Sequence, residues 1–384
     1  MTKKTLVLTE NFPPLNGGSG RWFWELYSRL PQNEYLIIAD EHAKASEFDQ
    51  ASNINILRLP LQSSEWGFKS LIGLKYYWRT FWALKKIIKQ HEISHIHCGR
   101  VIHEGVTAWL LSLFTNIKYT CYVHGEDVET AATSREHNLI VSHVCKRAQK
   151  IICNSQNSQN IVTRLGYATP NKIEILHPAV DANKFIPAAE DHNFKQKMAW
   201  ENRTVLLTVG RLQRRKGQDL MIQAMPELIK QKPDLLYCII GGGELEQELK
   251  QNIKTLGLTN NVKMLSEISD ADMIKCYQQC DLFILPNRTI EHDVEGFGMV
   301  LVEAQSCGKP VIAGDSGGTK ETMQIGKTGF VIDCTSPEKI AVSMAKILAN
   351  KELKEMGNAA RTHIEQNLNW QAHVTKAKQI FKEQ

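Results

Sequence analysis

Short apolar, β-branched runs alternate along this chain with longer stretches in which apolar residues recur every three to four positions. Thr5–Thr9, Tyr35–Ala39, Ile54–Leu59, His95–His97, Tyr119–Val123, Lys150–Cys153 and Ile173–Leu176 predict strands, with helical periodicity clearest over Leu71–Lys89 and Leu139–Ala148. The pattern then restarts. Thr204–Val209, Leu235–Ile240, Val262–Met264, Leu282–Leu285, Pro310–Ala313 and Gly329–Val331 predict strands, and Leu220–Gln231, Leu245–Thr255, Met299–Cys307 and Lys339–Ala349 predict helices. Strands alternating with crossover helices mean a parallel sheet covered on both faces. The two sets flank Ala179–Trp200, a stretch that follows Pro178 and carries Pro187 and the charged run Glu190-Asp191-His192. Two doubly wound α/β domains joined by a linker are therefore expected. Ligands of open α/β sheets sit beyond the carboxyl ends of the strands, which places the expected site in a cleft between the two sheets.

Composition narrows the class. In 384 residues, 42% are hydrophobic and 23% charged, which excludes a disordered or fibrous chain. Lys and Arg number 46 against 41 Asp and Glu, a net +5. That excess is too small to imply nucleic acid and is compatible with an anionic substrate or membrane surface. The run Leu6-Val7-Leu8 is too short for a signal-peptide core, and no run of eighteen apolar residues exists. Nine cysteines without a CxxC pair argue against a disulfide framework, so a cytoplasmic location is expected.

Four strand-to-helix turns hold the candidate chemistry. In Asn11–Gly20, Gly17 and Gly18 allow backbone amides close to a ligand before a helix expected near Arg21; a plain flexible turn is the alternative. In Val209–Asp219, Arg211 and Lys216, with Arg214 and Arg215 beside them, suit a diphosphate better than a solvated basic turn. In Asp293–Glu303, eight residues separate Glu295 from Glu303, up to ~12 Å along a helix. That is too far for an acid/base pair on one glycosidic bond. It suits two hydroxyl-rich groups at the ends of an extended ligand, with the amides of Gly296, Phe297 and Gly298 toward its phosphates. Gly314–Glu321 is a further glycine-rich turn that shapes the pocket through its backbone. Asp270-Ala-Asp272 precedes a helix and reads as its cap rather than as a metal-binding DxD.

VGRLQRRKGQD, EGFGMVLVEAQSCGKPVIAG and DSGGTKETMQIGKTGFV, in this order, resemble the family 4 retaining glycosyltransferases of the GT-B fold. The resemblance is dense from Leu206 to Asp333 and continues earlier through the Gly17-Gly18 loop, Tyr122-Val-His-Gly125 and Leu176–Asp181. It implies two Rossmann-like domains facing across a cleft. Residues 1–180 would bind acceptor, joined by a crossover helix within 366–384, and residues 181–365 would bind the nucleotide sugar. Arg211 and Lys216 would hold the donor diphosphate, Glu295 the hexose and Glu303 the ribose hydroxyls. His124 would approach the transferred sugar, and Gly18 would sit beside the diphosphate and acceptor. No metal or other cofactor is implied. Since Glu126 and Asp127 read as helix caps rather than nucleophiles, front-face displacement is the expected route, with the departing phosphate taking the acceptor proton.

Leu285–Thr289 with Asp293–Glu295 and His177–Asp181 is similar to the GDP-mannose-dependent phosphatidylinositol mannosyltransferases, and UDP-sugars serve other relatives. For the acceptor, a glycan or lipid-linked saccharide is expected. Phe68, Ile72, Lys75, Arg79, Trp82, Lys86 and Lys89 form one helical stripe, read either as a solvated basic face or as contact with anionic lipid at the inner membrane. The opposite stripe, Leu74, Tyr77, Phe81, Leu84 and Ile88, is the expected core face. Trp22 and Trp24 either line the acceptor site or belong to the core. A nucleotide-sugar epimerase and a non-catalytic sensor are the competing classes.

Overall fold

A computed structural model describes residues 4–15, 17–266 and 268–382. The chain divides into two compact units, Met1–Pro178 with His373–Gln384, and Ala179–Ala372.

The first unit is a seven-stranded sheet in the order β3-β2-β1-β4-β5-β6-β7, every neighbouring pair parallel. Its strands are β1 Lys4–Thr9, β2 Tyr35–Asp40, β3 Ile56–Leu59, β4 Ile93–Cys98, β5 Lys118–Val123, β6 Lys150–Cys153 and β7 Ile173–Ile175. Connections leave β1 toward β2 on one side while β4 pairs on the other, so the strand order reverses between β1 and β4. The helices Leu71–Gln90, Val106–Phe114 and Arg135–Arg147 pack a core on one face through residues such as Tyr76, Leu84, Leu111 and Val144.

The second unit is a six-stranded parallel sheet in the order β10-β9-β8-β11-β12-β13. Its strands are β8 Thr204–Val209, β9 Leu235–Ile240, β10 Val262–Leu265, β11 Leu282–Leu285, β12 Val311–Gly314 and β13 Gly329–Ile332. These strands are almost wholly apolar because both faces are covered.

Three expectations need correction. The segment Ala179–Trp200 is not a loose linker: Phe185, Phe194, Met198 and Trp200 are buried in the second unit's core. Arg361 holds it further by donating to the carbonyls of Ala182 and Phe185. Proline and charge hid these anchors because they follow no regular period. The helix after the first glycine loop starts at Gly18 rather than near Arg21.

The core face of the Leu71–Gln90 helix runs through Gly73, Tyr76, Tyr77, Thr80 and Leu84, and Leu74 is exposed. Gly73 sets that rotation, since a β carbon there would lie 2.2 Å from the Gly67 carbonyl oxygen. Of the basic stripe, Ile72, Lys75, Arg79, Trp82, Lys86 and Lys89 are exposed, whereas Phe68 precedes the helix and packs on Tyr77.

Loops of the second sheet meet at distances only glycine permits. A β carbon on Gly314 would stand 1.7 Å from the Asn287 carbonyl oxygen. Asn287 also accepts from the Gly314 amide at 3.0 Å and donates to the Ser316 carbonyl at 2.9 Å. Gly314→Ala is expected to cost about 1–3 kcal/mol by forcing these loops apart. Gly242→Ala, where a β carbon meets nothing within 4 Å, is expected to cost well under half of that. Urea unfolding of both variants checks the contrast.

Candidate active site

The carboxyl edge of the second sheet is built from the turns after β8, β11 and β12. After β8, Arg214–Lys216 form one 3-10 turn, and Gly217 at φ 77° opens the helix Gln218–Gln231. The Gly217 α carbon rests against the loop after β11, where a side chain would put its β carbon 1.7 Å from the Pro286 carbonyl oxygen. The Arg288 amide donates to the Arg215 carbonyl at 2.8 Å, which joins the two loops.

Beneath the turn lies Asp219. Arg288 grips its carboxylate with two bonds of 2.8 Å, and Arg214 adds a third at 3.1 Å. Burial alone would raise this carboxyl, but the two arginines hold it below the ordinary range. Arg214 reaches out to Glu248 as well, so it is occupied as a support for the turn.

Lys216 and Arg215 converge on one carboxylate, that of Glu295. Lys216 Nζ lies 2.5 Å from Glu295 Oε2, Arg215 Nη1 donates to the same oxygen, and Arg215 Nε faces Asp293 Oδ1 at 3.1 Å. Burial works against the Glu295 charge, yet Lys216 and Arg215 hold its carboxyl down to about 2. Burial pushes the Lys216 ammonium below its usual range, with Glu295 opposing. The loop after β12 fixes the backbone of Glu295: the Gly318 amide donates to its carbonyl at 2.9 Å, and Gly317 at φ 68° gives it room.

From Glu295 the chain passes Gly296 and the buried Phe297 to Gly298, at φ 92°, which opens the helix Met299–Ser306. Glu303 lies in that helix, buried, and accepts from the Tyr277 hydroxyl at 2.8 Å. Arg211 is exposed at the end of β8, and its side chain has no ion pair among the described residues.

The first unit presents the other expected residues. Gly17 is extended at the helix start, with open space around it, and Gly18 is the first helical residue. His124 is buried just after β5, where its Nε2 lies 2.9 Å from the Gly99 carbonyl oxygen. A carbonyl can only accept, so Nε2 carries the proton. The His124 ring meets Trp22 and Phe23 edge to face, each at 5.9 Å.

Trp22 is core, and its Nε1 donates to His373 Nε2 at 3.1 Å. His373 Nδ1 donates in turn to the His177 carbonyl at 2.8 Å, and burial pushes the imidazole down to about 4. Trp24 is half-buried against Phe48. The expected caps change here: Glu126 and Asp127 both lie in the first turn of the short helix Glu126–Ala132, which has no side-chain cap, and Asp127 Oδ1 accepts from the preceding amides of His124 and Gly125. Glu126 lies 3.9 Å from Arg100 instead.

Lys216 and Glu295 are thus in contact, Glu303 has a separate partner in Tyr277, and His124, Gly17 and Gly18 belong to the other unit. Two features escaped the sequence reading. Arg215, read only as a neighbouring cation, is a direct partner of Glu295. The part-buried Arg288–Asp219 pair had no local signal, because its members are 69 positions apart. The expected cap by Asp270-Ala-Asp272 also changes: Ser269 Oγ accepts from the Asp272 amide, and both aspartates lie in the first turn. Lys197 meets Asp272 at 2.9 Å.

Two parallel Rossmann-like sheets with these loops define a GT-B glycosyltransferase. The Glycosyltransferase Family 4 model matches residues 16–184, and the Glycosyl transferases group 1 model matches residues 190–363. The chain belongs to this group of glycosyltransferases. It is 27% identical over 393 residues to a GDP-mannose-dependent alpha-(1-6)-phosphatidylinositol monomannoside mannosyltransferase of Mycolicibacterium smegmatis, covering 98% of this chain and 97% of the relative. It is 28% identical to the monoacylated-acceptor counterpart of Corynebacterium glutamicum, covering 96% and 95%. Among solved structures, Anabaena HepE in complex with UDP superposes with a TM-score of 0.83 at 21% identity, over 99% of this chain and 100% of that one. WaaG, a glycosyltransferase involved in lipopolysaccharide biosynthesis, gives 0.71 at 18%, over 98% and 99%.

The Glu295 clamp has a pH signature. Its folded carboxyl is depressed, so its stabilisation is full above the unfolded value and is lost as pH falls through the folded one. The stability gap between the protein and Glu295→Gln is expected to stay constant from about pH 7 to 5.5. By about pH 3 it is expected to shrink by roughly 2 kcal/mol, read from urea unfolding at each pH.

Proposed function

We propose that the chain is a retaining, metal-independent hexosyltransferase that moves mannose from GDP-mannose to a saccharide or lipid-linked acceptor. The observation that carries this reading is the Glu295 carboxylate held by Lys216 and Arg215 at the carboxyl edge of the second sheet. Similarity over nearly the full length to GDP-mannose-dependent mannosyltransferases supports the choice of donor.

Arg211, Arg215 and Lys216 bring three positive charges, and Asp293 and Glu295 return two negative ones. The net positive loop attracts a diphosphate, and Lys216 and Arg211 bind it. Glu295 positions the hexose hydroxyls, and Glu303, steadied by Tyr277, takes those of the ribose. The bond from the anomeric carbon to the phosphate oxygen breaks, and the acceptor oxygen attacks from the same face. Its proton passes to the departing phosphate oxygen. Cations already in place stabilise the charge that develops there without reorganisation.

A lipid-bound acceptor is favoured by the surface of the Leu71–Gln90 helix. Trp78 is 69% exposed, Trp82 48% and Leu71 84%, and Phe114 of the neighbouring helix, 72% exposed, extends this apolar area beyond Phe81. Lys75, Arg79, Lys86 and Lys89 accompany it. Apolar rings among cations are what an interfacial helix needs. Among the described residues no helix is long and apolar enough to cross a membrane.

The deciding assay is release of nucleoside diphosphate from a panel of GDP- and UDP-sugars, with and without a crude lipid extract. GDP release from GDP-mannose that rises with extract is expected, with the anomeric configuration of the product retained by NMR. Lys216→Ala is expected to lower kcat about 10²–10³-fold. Release only from a UDP-sugar moves the donor, turnover without an acceptor points to an epimerase, and tight binding with no release points to a sensor.

Sedimentation with anionic liposomes tests the membrane contact. Neutralising Lys75, Arg79 and Lys86 together is expected to weaken binding roughly a hundredfold, at about 1 kcal/mol per cation. Absence of binding by the unaltered protein would remove the lipid-surface reading.

A further inference from the structure

The first unit has a cavity at the edge of its sheet opposite to the one that carries His124 and Gly17. It holds about 870 Å³ and opens at the amino ends of the strands, beside Thr5 of β1, Tyr35 of β2, Ile93 of β4 and Lys118 of β5. All strands here run parallel, so this edge is one strand length from His124 and Gly17, roughly 20 Å at 3.3 Å per residue. Substrates of an open α/β sheet bind at the carboxyl edge, which leaves this cavity outside the transfer chemistry.

Its lining has two chemistries. Leu30, Ile88, Ile93, Ile117 and Phe381 supply apolar walls. Lys118, Lys378 and Lys382, all exposed, stand at the rim, and among the described lining residues Glu34 is the one carboxylate. Lys378 and Lys382 are four residues apart on the helix Trp370–Lys382, so they present both ammonium groups on one helical face. His95 contributes no charge, since burial holds its imidazole down to about 3. A purely apolar guest would leave the lysine rim without partners, and a purely ionic guest would leave the aliphatic walls uncovered. The volume lies in the range of small-molecule sites.

We propose that this cavity binds an anionic amphiphile, with the alkyl part against Ile88, Ile93, Ile117 and Phe381 and the acidic head on Lys118, Lys378 and Lys382. The proposal stands independently of the donor and acceptor assigned above. A bound chain also meets a buried path toward the other edge. Phe381 lies 4.5 Å from the His97 ring, and His97 Nδ1 is 2.8 Å from the Tyr27 hydroxyl. Tyr27 meets the Tyr122 hydroxyl at 3.1 Å, and Trp22 touches both Tyr122 and His124. Occupancy therefore presses on side chains that pack the His124 ring.

Isothermal titration of the full chain with decyl phosphate, below its micellar concentration, tests the site. Decanol and inorganic phosphate are titrated separately. Saturable one-to-one binding of decyl phosphate is expected, at least about tenfold tighter than decanol, with no measurable heat from phosphate alone. Lys378→Gln with Lys382→Gln is expected to weaken it about tenfold or more. Asn116→Trp, which fills the cavity from an exposed lining position, is expected to abolish it. Thermal unfolding and circular dichroism of both variants establish that they are folded. Lack of saturable binding, decanol binding as tightly, or unchanged affinity in the folded lysine variant would each overturn the proposal.

Discussion

Two cations and one carboxylate, half-buried together at the carboxyl edge of the second sheet, decide how the surrounding loops are arranged. Lys216 sits where burial disfavours its ammonium, and an isolated charge in that position is costly. Glu295 offsets this, and it can do so only if its backbone is held. The hold comes from Gly317 and Gly318 after β12, while Arg215 in turn holds the amide of Arg288 after β11. Arg288 then closes on Asp219 at the start of the next helix. Three loops from three strands thereby become one rigid frame, and its glycines are the positions where two backbones occupy space that a methyl group would need.

The first unit solves a related problem with ring contacts and hydrogen bonds. His124 cannot turn freely, because Gly99 accepts from one ring nitrogen and Trp22 and Phe23 flank the ring. Trp22 is itself oriented by His373, whose other nitrogen donates to His177. Accepting at Nε2 and donating at Nδ1 requires a neutral imidazole with one defined tautomer, which the depressed His373 pKa supports. The terminal helix therefore joins this unit through a directional contact as well as an apolar one, since Phe381 also stacks on Tyr27.

Strand-by-strand, the architecture was legible because each buried parallel strand leaves a continuous apolar run. β6, β8, β9 and β11 begin and end where the hydrophobic pattern does. What pattern could not give was pairing at a distance. Nothing local says that Asp219 belongs to Arg288, or that Arg215 and not only Lys216 meets Glu295. Periodicity also failed where packing is anchored by isolated aromatics, as with Phe185 and Trp200, and where one glycine sets a helix rotation, as with Gly73. The glycine-rich loops were visible in sequence, but their reason was not: Gly217, Gly314 and Gly317 each lie against a particular carbonyl oxygen, of Pro286, Asn287 and Glu295.

A parallel sheet has two unlike edges, and this polarity organises the first unit. At the carboxyl edge the turns after β4 and β5 are short, and they place His124 beside Gly99. At the amino edge the terminal helix lends Lys378, Phe381 and Lys382 to the lining of a cavity with apolar walls. The residues between the two edges are polar but buried: His97, Tyr27 and Tyr122 satisfy one another among the rings of Trp22, Phe23, Tyr35 and Phe381. Such a chain holds its shape only while each member keeps its partner, since an unpaired hydroxyl or imidazole at this depth costs more than a displaced methyl group. A guest that moves Phe381 or His97 must therefore move Tyr27 and Tyr122 with them. Those rings support Trp22, and through it the position of His124.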